Sequence, residues 1–506
     1  MEKIYRKIVQ IDARYKVAFI STIIAGLLIH MYAFTNQVQN HDYYGNVHID
    51  QFYWPLSLGR CFLWPFTTIS SYFSLTWVLG ILSITYLAIA MCVLVKLFDI
   101  RNKIAIVLVA ALVVSHPSLT DLFGYLFTCD GYCAGFLFAV LAVYYWTKQD
   151  GKKGLLCGTG FAILSIGIYQ ADLSIILYLG AIRIIMTMLL ESHIEWKRFI
   201  LKVISRMVLL IGSFVIYYLI LHMIQGIAQT QMSDYAGFST ASLPTISYFI
   251  EVLRKDFVEF IFKFVGNDLN FTAYEVLNVV FAIFLIGLVV YFFVQQSQGR
   301  IKRIAITFLT LIVMIYSTSI FEFASADVYY RWEMMMCVSL WYVLFVILLE
   351  KTNRNSVQIG GVIVSVAIII NFSLIANITY QNQELAYQRT YAQCLLIADK
   401  ITDLERFSPE TPVLICGEYQ SEDRDWMIGR LPERMTVDVD FMDQFYKVLS
   451  TNYGMTLKQM ESDTMEKFSA AHSEIIDNMT CWPSKGSVEM VEGIAVVKLS
   501  ESTDTE

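Results

Sequence analysis

Runs of roughly 17 to 25 almost wholly apolar residues recur along this chain, each long enough to cross a hydrocarbon core about 30 Å thick as one helix. Inside such a core no water satisfies backbone N–H and C=O groups, so only helices or closed barrels can span it. The runs lack the residue-by-residue alternation of a barrel strand, which leaves helices. Composition agrees: 56% of the 506 residues are hydrophobic and 16% charged, whereas soluble domains carry about a quarter charged residues. Eleven spans are expected, near 16–34, 73–96, 104–116, 125–146, 154–169, 172–190, 207–224, 276–294, 304–321, 332–349 and 357–376. The first follows basic residues, as a signal peptide would. It is long and no small-x-small cleavage site follows, so it reads as a retained helix.

Lys and Arg beside spans stay on the cytoplasmic side, and they fix an orientation. With the N-terminus inside, 20 basic residues fall on inner segments and five on outer ones: Arg60, Arg254, Lys255, Lys263 and Arg331. An odd number of spans then sends the C-terminus outside. The chain divides into a membrane domain, 1–376, and an extracytoplasmic domain, 377–506. The tail holds 23 acidic and 11 basic residues, a charge of −12 against −7 for the whole chain. It reads as a small α/β domain: a helix near 383–405, a strand at "PVLICG", helices near 441–451 and 456–470, and a closing strand pair in "SVEMVEGIAVVKLS". The external stretch "ISYFIEVLRKDFVEFIFKFVG" has apolar residues three and four apart. It suits a helix lying on the membrane surface or an ordinary packed helix.

Charges at a bilayer boundary are costly unless solvated, paired or used, so their distribution can locate a site. In this topology they gather outside: Asp42 and Asp50; Asp121 and Asp130; the Tyr169–Gln170–Ala171–Asp172 turn; Glu322, Asp327 and Arg331. A carboxylate can take the proton of an attacking hydroxyl, and a guanidinium can hold a phosphate oxygen through two hydrogen bonds. Together they suit transfer from a phosphate-linked donor to an alcohol. Other signals are weaker. "GTGFAI" lacks the third glycine of a dinucleotide loop and suits helix packing. "DVD" at 438–440 is too short to define a metal site, and His116 reads as a cap. Nine cysteines show no ligand spacing; Cys129 and Cys133 suit packing.

The segments "NHDYY" and "SLGR" after the first span, "FTCDGYCAGFLFAVLAVYYW", "GIYQADLSI", "YYRWEMM" and the end "CWPSKGSVEMVEGIAVVKLS" together resemble the GtrII-type glucosyltransferases. These are polytopic GT-C-class proteins that modify bacterial surface polysaccharides. The resemblance implies a GT-C-like helical fold, a lipid-linked donor (polyprenyl-phosphate glucose), and a glycan acceptor outside the cytoplasmic membrane. It also implies an acidic catalytic residue in the first external loop, which falls on Asp42 or Asp50. Substrate contacts are expected from His41, Tyr44, Arg60, Asp130, Tyr169, Gln170, Asp172 and Arg331. No metal ligands are assigned, and dependence on a divalent metal is left open. Expected partners are the bilayer, the donor and the glycan, with a donor synthase and a donor flippase, and no nucleic acid. One departure stands out: Cys61 follows Gly59–Arg60 where the family often has an aromatic residue. The competing classes are a transporter or flippase of envelope precursors, whose polar breaks lie midway across the membrane, and a non-enzymatic envelope assembly protein.

Overall fold

The computed structural model describes residues 10–36, 38, 48, 52–149, 151–233, 245–264, 273–296, 299–323, 331–417 and 441–501. A helix forms in each of the eleven apolar runs: α1 (Ala13–Thr35), α2 (Thr76–Phe98), α3 (Lys103–Ser115), α4 (Leu126–Lys148), α5 (Lys152–Ile168), α6 (Asp172–Leu190), α7 (Trp196–Ala228), α9 (Tyr274–Gln295), α10 (Arg300–Ser317), α11 (Ser339–Lys351) and α12 (Asn355–Thr402). Between α7 and α9 lies α8 (Ile246–Phe264). By length and apolarity eight of these segments can cross a membrane, counting α4 with the turn from Pro117 and α11 with the turn from Trp332. The remaining runs are marginal for plain reasons: α3 has 13 residues, about 20 Å at 1.5 Å per residue, while α5 and α10 begin with lysines or arginines. The protein is therefore a helical membrane protein.

Two compact units divide the chain. The first is built mainly from residues 49–379 with the N-terminal helix, and the second mainly from 380–428 and 436–506. In the first, α2 packs between α1 and α4, α4 packs on α5 and α6, and α11 packs on α3. The central helices are enclosed: 94% of the apolar window in Trp332–Lys351 is buried, against 22% in α7. Ile204, Val208, Ile211, Val215 and Leu219 of α7 remain exposed, which suits acyl chains and not water.

The ends of these helices differ in chemistry. Where α1 starts and α2 meets α3, Asp99 accepts from Arg14 at 3.1 Å and from Arg101 at 2.7 Å. Beside them Glu350 caps the start of α3 by accepting from the backbone N–H groups of Arg101 and Asn102. Arg303 is buried and its guanidinium caps α6, donating to the carbonyls of Met188, Glu191 and Ser192. Basic residues that sequence reads only as topology signals thus also close helix ends.

Helix α8 keeps Ile246, Phe249, Ile250, Phe257 and Ile261 exposed on one side and buries Val252 and Asp256 on another. It is anchored to the end of α10 and the turn Ile320–Phe323. The Ser319 hydroxyl donates to Asp256 Oδ2 at 2.5 Å, Lys255 pairs with Glu322 at 3.1 Å, and Tyr248 donates to the Glu322 carbonyl at 2.6 Å. Burial raises the Asp256 carboxyl from 3.8 to about 7; the Ser319 bond opposes the shift and the nearby Glu322 charge adds to it. The sign follows from linkage. Below pH 3.8 folded and unfolded chains both hold this proton; between there and about 7 only the folded chain does, so the anchor weakens as pH rises and levels off above. In detergent, thermal stability should fall between about pH 4 and pH 7, and Asp256→Asn should flatten that limb and raise the melting temperature at pH 8. A slope of equal size in the variant would exclude Asp256 as its source.

In the second unit a four-stranded sheet runs β2–β1–β4–β3, with β1 (Pro412–Cys416) parallel to β2 (Lys458–Gln459) and to β4 (Ile494–Lys498), and β3 (Val488–Val491) antiparallel to β4. Leu414, Met460, Ile476, Met479, Val491 and Val496 form one core. Buried Lys498 satisfies its ammonium on the Asp477 and Met479 carbonyls and on Glu501 at 2.7 Å, which is what a buried cation needs. The strands at "PVLIC" and in the closing pair, and a helix at Phe441–Tyr453, stand where the sequence places them. Two expectations change. Residues 458–459 join the sheet, so the next helix starts only at Ser462. The last span and the helix expected near 383–405 are one 48-residue helix, α12, because nothing from Asn371 to Thr402 is Gly or Pro.

Candidate active site

At the end of the first unit opposite the Asp99 cluster, the chain after α1 is bound down by side chains from distant helices. The Leu58 carbonyl accepts from Gln170 at 2.7 Å, the Gly59 carbonyl from Tyr217 at 2.8 Å, and the Leu56 carbonyl from Gln225 at 3.0 Å. Phe62 N–H donates to the Gly167 carbonyl at 2.9 Å. Gly59 has φ of +80°, and a Cβ there would also press on the Tyr217 hydroxyl. Only glycine meets both demands without strain. The "SLGR" motif thus aims one side chain, Arg60.

Arg60 is half-buried and donates to the Tyr132 hydroxyl at 2.6 Å. Its guanidinium carbon lies 5.5 Å from the Tyr132 ring centre and 5.2 Å from that of Tyr169. The two rings stack at 4.2 Å. This double cation–π contact holds the guanidinium against the two rings.

A second guanidinium, Arg331, donates to the Tyr125 hydroxyl. It stands at the start of the turn Trp332–Val338, which packs on the short helix Pro117–Leu122. Across that contact Asp121 Oδ2 accepts from the Glu333 N–H at 3.0 Å, and both carboxyl groups are buried. Arg331 is an electrostatic neighbour of Asp121, and Glu333 is one of Tyr132 and of Tyr169. Hydrogen bonds thus join Arg60 to Tyr132, Arg331 to Tyr125 and Asp121 to the Glu333 backbone, and electrostatic proximity links these pairs into one network. A guanidinium held in this way can meet the oxygens of an anion.

Other expected site residues are placed differently. Asp172 is buried at the start of α6, accepting from Ser165 at 3.2 Å, and a side chain on Gly135 of α4 would run into its carboxylate. It knits α4, α5 and α6 together. Asp130 is buried on α4 with Tyr86 and Cys133 as electrostatic neighbours, facing α2. Two residues along a helix turn about 200°, so Asp130 and Tyr132 look to opposite sides. Of the expected residues, Arg60 lies on Tyr169 with Gln170 as the support of its loop, Arg331 is set on Tyr125, and Asp172 is an electrostatic neighbour of Tyr169. Glu322, which sequence groups with Arg331, is held by Lys255. Asp42, Asp50, His41 and Tyr44 lie outside the described residues, as do Asp327 and the "DVD" run.

Sequence reading passes over Tyr125, Tyr132 and Glu333, although each stands in or beside a quoted segment. The lesser signals have structural roles: Gly158 gives room for Trp146, His116 Nδ1 caps the helix at Pro117 by accepting from Ser118 N–H at 3.2 Å, and Cys129 packs on Ser83. Among the described residues no group of three or more His, Cys, Asp or Glu stands ready for a metal ion.

No curated protein and no solved structure matches the chain. The profile of the family described as glucosyl transferase GtrII matches residues 31–371, from the last turns of α1 into α12. That stretch contains every member of the Arg60–Arg331 network and well over half of the sequence, so this chain belongs to the GtrII glucosyl transferase family.

Proposed function

We propose that the protein moves a glucosyl group from a polyprenyl-phosphate carrier to a glycan on the outer face of the cytoplasmic membrane. What supports this reading is the family match together with two guanidinium groups each bonded to a tyrosine, Arg60 to Tyr132 and Arg331 to Tyr125, and the buried contact between Asp121 and the Glu333 backbone. Arg60 and Arg331 would hold the phosphodiester of the donor while its lipid lies among the helices. Asp42, or Asp50 in its place, would take the proton of the acceptor hydroxyl as that oxygen attacks the anomeric carbon. The C–O bond to phosphate breaks, the phosphate leaves with the electron pair, and the configuration inverts. Only one base is required, unlike the paired carboxylates of a glycosidase. A synthase and a flippase would supply the donor outside.

Incubation of the purified protein with synthetic polyprenyl-phosphate glucose and an envelope glycan should release polyprenyl phosphate and yield a glucosylated glycan with inverted configuration. An intact donor and no transfer to any surface glycan would remove the reading. The orientation has its own test, resting on the 20-to-five excess of basic residues on one set of segments. In intact cells, an impermeant thiol reagent should label a cysteine placed at Ser484 and spare one at Lys152. The reverse pattern would put the site on the cytoplasmic side.

A further inference from the structure

Helix α7 is long for a membrane crossing: its 33 residues extend about 50 Å at 1.5 Å each, against a hydrocarbon core of about 30 Å. One end is fixed at the Arg60 loop, where Gln225 donates to the Leu56 carbonyl. Lys202 and Arg198 stand 23 and 27 residues before Gln225, about 35 and 40 Å away along the helix. With the Arg60 loop at one boundary of the membrane, that distance puts them among the lipid headgroups of the other. Arg198, Lys202 and Arg206 follow one another at intervals of four and so share a face. Together with Glu195, Leu201 and Ser205 they line an open recess of about 580 Å³. Arg206 donates to the Ser205 hydroxyl at 3.4 Å. Arg198 lies 3.9 Å from Glu195, with the two side chains 71% and 68% exposed, and a pair so open to water is held weakly. Lys202 is exposed, and its ammonium has no bonding partner among the described residues. Trp196 borders the same recess, a ring type that settles at headgroup level. Further along α7, Val208, Ile216 and Leu219 are exposed, and a Cβ built on Gly212 would meet nothing within 4 Å.

From this juxtaposition we infer that the recess is a binding site for an anionic phospholipid, with Arg198 and Lys202 holding its phosphodiester and its acyl chains lying along α7 past Gly212. Orientation alone asks only that basic residues fall on one side of the membrane. It does not ask that they share one helix face, around a recess that opens onto bare apolar surface. The open apolar surface selects a lipid over a free phosphate, and the cations select an anionic headgroup over a zwitterionic one, whose own ammonium they would repel. The site is separate from the Arg60 region, and the inference does not depend on the donor reading. Its consequence is mechanical. Only 22% of the apolar window of α7 is buried, yet this helix supplies Tyr217 and Gln225, which clamp the Arg60 loop. A lipid seated along α7 adds to what holds that clamp in place.

Native mass spectrometry of the full chain, stripped of lipid in a neutral detergent, tests this directly. Wild type should bind its first phosphatidylglycerol about tenfold more tightly than phosphatidylcholine. Arg198→Gln/Lys202→Gln should remove that preference and leave phosphatidylcholine binding unchanged. The charge-matched control Lys103→Gln/Arg354→Gln changes two exposed residues at the starts of α3 and α12, and it should keep the preference within about twofold of wild type. Melting temperature gives a second readout: phosphatidylglycerol should raise it more than phosphatidylcholine does in wild type and in the control, but not in Arg198→Gln/Lys202→Gln. Glycerol 3-phosphate, which carries the phosphate without the tails, should fail to displace the bound lipid. Equal affinity of wild type for the two lipids, an equal loss in both double variants, or displacement by glycerol 3-phosphate each overturns the inference. The comparison of lipids on wild type decides it even if a variant fails to fold.

Discussion

Asp42→Asn should lower kcat for glucosyl transfer by about 10²–10⁴-fold, the usual cost of removing a general base, with donor affinity and expression close to wild type. The substitution is isosteric and keeps one acceptor oxygen, so it tests proton transfer and little else. Direct attack on an anomeric carbon needs a carboxylate on the face opposite the leaving phosphate. Asp42 is preferred to Asp50 because it follows the end of α1 at Thr35 by only seven residues and sits in the family-like "NHD" context. Removing the base in this way also removes the acid limb of the kcat/KM profile against pH. Full activity in Asp42→Asn with loss in Asp50→Asn would transfer the role to Asp50. Full activity in both would end the idea that this loop carries the base.

What the sequence discloses follows from which forces act locally. A hydrocarbon solvent forces every backbone group into a helix, so apolar runs locate the helices with little help from tertiary context. Breakers are equally local, and the missing Gly or Pro after Asn371 is itself a sign that α12 continues. Arg60 is legible because a guanidinium between a glycine turn and an apolar span has few bland uses. Tyr132 is not, since an aromatic ring within an apolar helix looks like packing until its partner is known. Asp130 draws the attention instead: a charge inside a span suggests function, yet the helical period turns it away from the tyrosine two positions on. Glu333 acquires meaning only from Asp121, 212 residues earlier, and no periodicity reports a contact of that separation.

Arg60→Lys should raise the KM for the lipid-linked donor by about 10- to 100-fold, from the loss of one or two charge-assisted hydrogen bonds at about 1.5–3 kcal/mol each, with a far smaller change in kcat. The argument is geometric. Arg60 already spends one N–H on the Tyr132 hydroxyl and lies over the faces of Tyr132 and Tyr169. A planar fork can do this and still present other N–H groups to a phosphate, whereas an ammonium on a flexible stem keeps the charge but not the fork. A phosphate interaction that is equally strong in ground and transition states shows in KM when it is removed, which distinguishes this variant from the kcat defect of Asp42→Asn. Tyr132→Phe should give a milder KM effect in the same direction, since it removes the hydroxyl that orients the guanidinium but leaves the ring beneath it. Melting temperatures of Arg60→Lys and wild type in detergent should agree within a few degrees, because the Arg60 loop is fixed by the bonds to the Leu56, Leu58 and Gly59 carbonyls, which the substitution leaves untouched. An unchanged donor KM in Arg60→Lys, or a KM rise matched by a collapse in melting temperature, would remove Arg60 from the phosphate site and leave it as a structural clasp between Tyr132 and Tyr169.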